Sequence, residues 1–184
     1  MEVLRIGDYA MRKINEQDLP SLLEWRNSDR IHSMMLTDHR ISWDEHVAWF
    51  DRIKSAERPV NFIFTYKGED IGYIGYSGIN WQSMFCYPGT YLGKFDKKNI
   101  MAGIILHEIT IKYAFEYLHM HKLCSYVFAK NKRVRKINEL LGYRQEGYFR
   151  KHFFKDNEYQ DVVFLSVLQE EWLEISDSYL INVF

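Results

Sequence analysis

Cysteine is scarce. Cys86 and Cys124 are the two in 184 residues, each inside an apolar run and far apart. They make neither a disulfide framework nor a metal-ligand spacing, so a reduced, cytosolic setting is expected. Proline is nearly as rare, with three in all, and no repeat or low-complexity tract breaks the chain. That leaves little room for linkers or disorder. No apolar run reaches the roughly 18 residues a membrane span needs, and residues Met1 to Asp8 lack the apolar core of a secretory signal. A charge excess is missing too: 24 Lys and Arg stand against 25 Asp and Glu, a net charge of −1. A general nucleic-acid binder would show a strong basic excess, so neither nucleic acid nor membrane is an expected partner. What the chain does have is 47 % hydrophobic residues. At this length about 70 % of the unfolded surface can be buried, so a full core needs no staples. One domain over residues 1–184 is expected, with a core at about 8–168 and a tail at 169–184.

Periodicity and breakers give the order of elements. Tyr9 to Ile14 reads as a strand, and Asn15-Glu16-Gln17-Asp18 starts a helix that ends near Asn27-Ser28. Ser42-Trp43-Asp44-Glu45 is a capping box, followed by His46, Trp49, Phe50 and Ile53 at the spacing of one apolar helix face. Trp43, Trp49 and Phe50 are expected in the core. Asn61 to Tyr66 and Ile71 to Ser77 flank Lys67-Gly68-Glu69-Asp70, a hairpin signal. Phe85 to Phe95 is a third strand, and its glycines 89 and 93 suggest a bulge or a close approach by another backbone or a ligand. Met101 to Tyr117 is the longest helical pattern. Leu123 to Phe128 reads as a strand, and Lys132 to Leu141 as a basic helix stopped by Gly142. Tyr143 to Phe154 and Tyr159 to Leu168 form a final hairpin. The order is β-α-α-β-β-β-α-β-α-β-β. Strand, helix and strand from Phe85 through Phe128 favour a right-handed parallel crossover inside an otherwise antiparallel, mixed α/β sheet with flanking helices.

The segment from Tyr91 to Ile104 runs from strand through a three-lysine loop (Lys94, Lys97, Lys98) into the longest helix. A helix N-terminus carries free N–H groups and about half a positive charge, so it attracts anions, and Ala102-Gly103 would let a pyrophosphate approach. The bland alternative is a surface loop with solvated lysines. Neither a Walker nor a Rossmann glycine pattern is present. His119-Met120-His121 lacks a nearby carboxylate or cysteine and reads as a helix-to-strand loop, so no metal is expected.

Phe128 through Tyr143 adds a strand end, Asn131, a basic helix and Gly142-Tyr143. With the lysine loop, this arrangement resembles the GNAT fold of acyl-CoA N-acyltransferases over about residues 8–168. The resemblance implies acetyl-CoA as co-substrate. Leu92, Gly93, Lys94, Lys98, Asn99, Ile100, Met101, Ala102, Gly103 and Ile104 would then cradle its pyrophosphate and thioester, and Asn131 and Arg135 would flank the pantetheine arm. The N-terminal third narrows this. Leu23-Glu24-Trp25-Arg26-Asn27, Met34-Met35-Leu36 and Ile41 to Phe50 are similar to N-acetyltransferases of nucleotide-linked amino sugars. The pseudaminic-acid pathway enzymes, which acetylate UDP-4-amino-4,6-dideoxy-N-acetyl-β-L-altrosamine, are the branch it resembles. Gly147 to His152 and Asp161-Val162 are shared with ribosomal-protein N-terminal acetyltransferases and do not discriminate.

On that resemblance, the Leu92 and Gly93 amides are expected to form an oxyanion site. Arg26, Met35, His46 and Tyr91 would face the sugar nucleotide, with Arg26 on its phosphates and His46 as base or substrate contact; the bland alternatives are an arginine complementing its helix dipole and a packed or surface histidine. Trp81 and Phe85 are candidates for the acceptor cleft. Two departures stand out. Met101 replaces a glycine found in many members, and Asn138 falls where the family carries a tyrosine as general acid. A thiol has a pKa of about 8.5, so its thiolate leaves tolerably near neutral pH, and a general acid is worth roughly 10²–10⁴-fold. Asn138 could still donate a hydrogen bond to sulfur. Two other functions compete: N-terminal acetylation of a protein, and a non-catalytic acyl-CoA-binding module. A homodimer is compatible with all three.

Overall fold

The computed structural model describes residues 2–94 and 101–179. Its strands are β1 (Glu2–Ile6), β2 (Tyr9–Lys13), β3 (Asn61–Tyr66), β4 (Glu69–Asn80), β5 (Phe85–Leu92), β6 (Lys122–Phe128), β7 (Arg144–Lys155) and β8 (Glu158–Leu168). Its helices are α1 (Leu19–Asn27), α2 (Asp29–His32), α3 (Trp43–Ile53), α4 (Ala102–Glu116), α5 (Lys132–Leu140) and α6 (Gln169–Tyr179). The chain divides into two compact units, Met1–Tyr76 with Gly89–Ile109, and Ser77–Pro88 with Thr110–Phe184. Among the described residues no helix is long and apolar enough to cross a membrane.

In the first unit β1, β2, β3 and the start of β4 pair antiparallel in chain order. Lys67 and Gly68 both take left-handed φ values, 50° and 82°, as the tight β3–β4 turn requires. Asn15 and Ser42 begin their helical segments with reciprocal capping boxes. In the second box the Glu45 N–H donates to Ser42 Oγ at 3.3 Å, and Glu45 Oε2 accepts from the Ser42 N–H at 2.8 Å. Arg12 forks onto both Asp18 and Asp70, tying β2 to the start of α1 and to β4. Leu22, Trp25, Ile31 and Ile63 form the unit's core, with Ile14, Met35, Trp49, Tyr73 and Tyr91 packed against it. Trp43, expected inside, is 49 % exposed. It is the first residue of α3, and the buried stripe begins at His46 and ends at Phe50.

In the second unit β5 and β6 pair parallel, joined through α4 as the crossover pattern required. β8 pairs antiparallel with both β6 and β7. Gly142 ends α5 with φ +89°, and a Cβ there would stand 2.6 Å from Ile175 Cδ1. Cys86 and Cys124 are buried free thiols, and burial pushes Cys86 up to about 12. Three elements were not anticipated: β1, the four-residue α2, and α6, whose Trp172 packs 5.6 Å from Phe115.

Candidate functional site

Of the residues expected to face an acceptor, Arg26, Met35, His46 and Tyr91 lie in the first unit, where two phenols pair. Tyr73 of β4 and Tyr91 of β5 stack with ring centroids 5.1 Å apart. The Tyr73 hydroxyl donates to Asn61 Oδ1 at 2.6 Å. Burial lifts both phenols well above the usual tyrosine range, so both stay protonated. Arg26, in the last turn of α1, faces both rings, and burial lowers its pKa in turn. Its Nη2 donates to Thr37 Oγ1. Its Nη1 is buried and has no hydrogen-bond partner among the described residues. The segment carrying Thr37 is pinned to α1 and α2. Asn27 and Ile41 exchange two bonds, of 2.8 and 2.9 Å, and Arg40 pairs with Asp29. Met35 packs on the same core.

His46 does not behave as an exposed base. It is 7 % exposed, its ring stacks 5.1 Å from Trp49, and its Nε2–H donates to the Leu19 carbonyl at 3.0 Å. Burial lowers its pKa, so it is neutral and ties α3 to α1. A packed, hydrogen-bonded histidine of this kind is a positioning group. Neither the capping box nor the helix period could distinguish it from a solvent-facing one.

The exit of β5 is tightly built. A Cβ on Gly93 would lie 1.9 Å from Trp25 Cδ2, so glycine is required because the indole lies on the backbone there. A close approach is real at Gly93, but the approaching group is a side chain and not the backbone or ligand expected. Gly89, by contrast, has open space. The Gly93 N–H donates to the Ile71 carbonyl at 2.8 Å and the Lys94 N–H to the same oxygen at 3.1 Å. The Gly93 amide is thus already spent on β4, which corrects its expected share in an oxyanion site.

Past the strand, Lys94 and Met101 are exposed while Ala102 and Gly103 are buried at the start of α4. The Ile104 N–H bonds the Met101 carbonyl at 3.0 Å, and the first turn of α4 carries no carboxylate. A fifteen-residue helix starting on small residues without local negative charge suits a pyrophosphate, so the residues present fit the CoA moiety. Lys98, Asn99 and Ile100 lie outside the described residues.

Asn131, Arg135 and Asn138 belong to the second unit. Asn131 caps α5, its Oδ1 accepting from the Val134 N–H at 3.2 Å, and Arg135 Nη1 donates to the Ala129 carbonyl at 3.1 Å. Asn138 is 2 % exposed, and its carbonyl accepts from the Leu141 and Tyr143 N–H groups where the helix ends. Trp81 is 43 % exposed in this unit, and Phe85 packs edge-on to Tyr87 at 6.1 Å. Sequence reasoning missed Tyr73 and Arg30. The first was hidden in an alternating strand pattern, the second in a stretch with no helical period.

Comparison with known proteins agrees with this architecture. The model of the acetyltransferase (GNAT) domain family matches residues 11–164. Acetyltransferase PseH of Campylobacter jejuni subsp. jejuni serotype O:23/36 (strain 81-176) is 30 % identical over 125 residues, covering 68 % of this chain and 76 % of that one. The same enzyme from serotype O:2 of that species is 28 % identical over 135 residues, covering 73 % and 81 %. A crystal structure of spermidine N-acetyltransferase from Vibrio cholerae, in complex with CoA and spermine, superposes with a TM-score of 0.84 at 21 % identity, covering 91 % of this chain and 99 % of that one. The chain belongs to the GNAT acetyltransferase family, with acetyl-CoA as its co-substrate.

Proposed function

We propose that this acetyltransferase acts on the primary amine of a nucleotide-activated amino sugar, a UDP-4-amino-4,6-dideoxy sugar used as a surface- or flagellin-glycan precursor. Arg26 carries the reading. Its guanidinium stands beside two phenols, and its Nη1 meets no acceptor among the described residues, so the fold leaves this charge without a counter-charge there. A diphosphate would be drawn to that charge, and phosphate oxygens suit an arginine. A polyamine would bring more positive charge against it. The two PseH relatives support an amino-sugar acceptor on independent grounds.

In this reading Tyr73 and Tyr91 form the floor for the sugar, Met35 supplies apolar contact, and Arg26 holds the phosphates. His46 keeps α1 and α3 in register beneath them. Acetyl-CoA supplies the activated thioester. The neutral amine forms the new C–N bond, the C–S bond breaks, the amine proton passes to water, and the thiolate is protonated from solvent. The Leu92 N–H is assigned to the carbonyl oxygen. A thiol-release assay with acetyl-CoA tests the reading, using a UDP-4-amino-4,6-dideoxy sugar beside spermidine and short peptides. Turnover should be at least a hundredfold more efficient with the sugar nucleotide. Preference for spermidine or a peptide overturns it, and CoA binding without release on any acceptor means a binding module.

A further inference from the structure

We infer that Arg30 is a positioning residue that sets the exit of β5 for acetyl-CoA. Its Nη2 donates to the Leu92 carbonyl at 2.6 Å and to the Gly93 carbonyl at 2.9 Å. The other edges of those same two peptide planes are the Gly93 and Lys94 N–H groups, and both donate to the Ile71 carbonyl. A peptide is planar, so a bond on each edge leaves its plane no freedom to turn. Two consecutive planes are therefore clamped between β4 and one guanidinium, with the Trp25 indole closing over the glycine that joins them. Free strand ends normally fray; this one is held at three points.

Arg30 itself is exposed, so its removal leaves no buried void. What it fixes is geometry: the direction in which residues 92–94 leave the strand toward the start of α4. Asp29, its neighbour on α2, is bonded to Arg40 of the acceptor-side segment, so the same short helix anchors both. The inference uses the family's co-substrate and does not depend on which acceptor is acetylated.

The test is Arg30→Ala beside Arg30→Lys, in the intact protein and without acceptor. In Arg30→Ala the Gly93 and Lys94 amides should exchange hydrogen at least tenfold faster, while the Ile63 and Phe64 amides of β3 keep their rates. CoA affinity by calorimetry should weaken about tenfold. Arg30→Lys, able to reach one carbonyl, should recover part of both. Where an acceptor is in hand, the KM for acetyl-CoA should rise and that for the acceptor stay within about twofold. Unchanged exchange at Gly93 and Lys94, or unchanged CoA affinity, overturns the inference. So does uniformly faster exchange through β3, which would make Arg30 a general stabilising contact.

Discussion

Replacing Arg26 with methionine separates a substrate-binding arginine from a structural one. Methionine keeps the apolar stem and fills the space flexibly. It removes one charge-assisted bond, to Thr37, worth about 1.5–3 kcal/mol. It also removes the buried, partnerless Nη1, whose desolvation costs about 1–3 kcal/mol. The two nearly cancel, and at about 2–4 °C per kcal/mol for a chain of this size Tm should move by no more than about 5 °C. Binding has no such cancellation. Truncating one member of a buried charge pair costs about 2–5 kcal/mol, which is roughly 30- to several-thousand-fold in acceptor kcat/KM. The KM for acetyl-CoA should stay put, and Arg26→Lys should fall between, since a point charge loses the bidentate fork. Differential scanning fluorimetry and steady-state thiol release read both quantities. A Tm loss above about 10 °C with an unchanged acceptor KM would refute the reasoning, because it would mean Nη1 is satisfied within the fold.

Gly93→Ala should push the Trp25 ring by about 1.5 Å to reach ordinary contact and cost about 1–3 kcal/mol, read as a lower Tm, with less than additive loss when combined with Trp25→Leu. Asn138→Ala should lower kcat by about tenfold with little change in either KM; a thousandfold loss in folded protein would show the amide matters far more than a weak donor should. Restoring tyrosine at that position is a poorer test, since Asn138 is 2 % exposed and a ring would overpack the site. Acid stability should follow His107 on α4, which burial pushes down to about 4. Between that value and about 6.5 the unfolded chain binds the extra proton, so stability rises with pH through this window and about 3 kcal/mol is lost as pH falls across it. Urea unfolding at pH 4.5 and 7.5 should show that loss shrinking in His107→Gln, and an unaltered pH slope in the variant would falsify the assignment.

Much of the architecture was legible because its signals are local. Ser42 and Glu45 close the capping box their spacing announced, Gly142 takes the left-handed φ that stops α5, and the crossover from β5 to β6 is parallel. The site was less legible, because each residue type had more than one task open to it. Arg26 could serve as a phosphate ligand or as a cation complementing the end of α1, and what the fold adds is its bond to Thr37 and its buried Nη1. His46 is a second case. Its identity allowed a base, but a carbonyl from α1, contributed 27 positions away, fixes its Nε2. Tyr73 is a site residue because Tyr91 stacks on it from another strand, and Gly93 because Trp25 does. Such partners come from tertiary packing, which a single-chain period cannot reveal.

One backbone break accounts for how two arginines four residues apart serve different ends of the site. Arg26 and Arg30 at i and i+4 on an uninterrupted helix would share a face and repel by a few tenths of a kcal/mol. Ser28 prevents it: its ψ of 143° ends α1, its Oγ donates to the Trp25 carbonyl at 2.7 Å, and α2 restarts at Asp29. The Asn27 side-chain amide adds two bonds to the Ile41 backbone, which tie the chain beyond α2 to the end of α1. The redirected chain sends Arg26 to Tyr73, Tyr91 and Thr37, and Arg30 to the Leu92 and Gly93 carbonyls. Two cations with different partners thus come from one short stretch: Arg30 is spent on the two carbonyls at the exit of β5, and Arg26 on Thr37 beside the paired phenols.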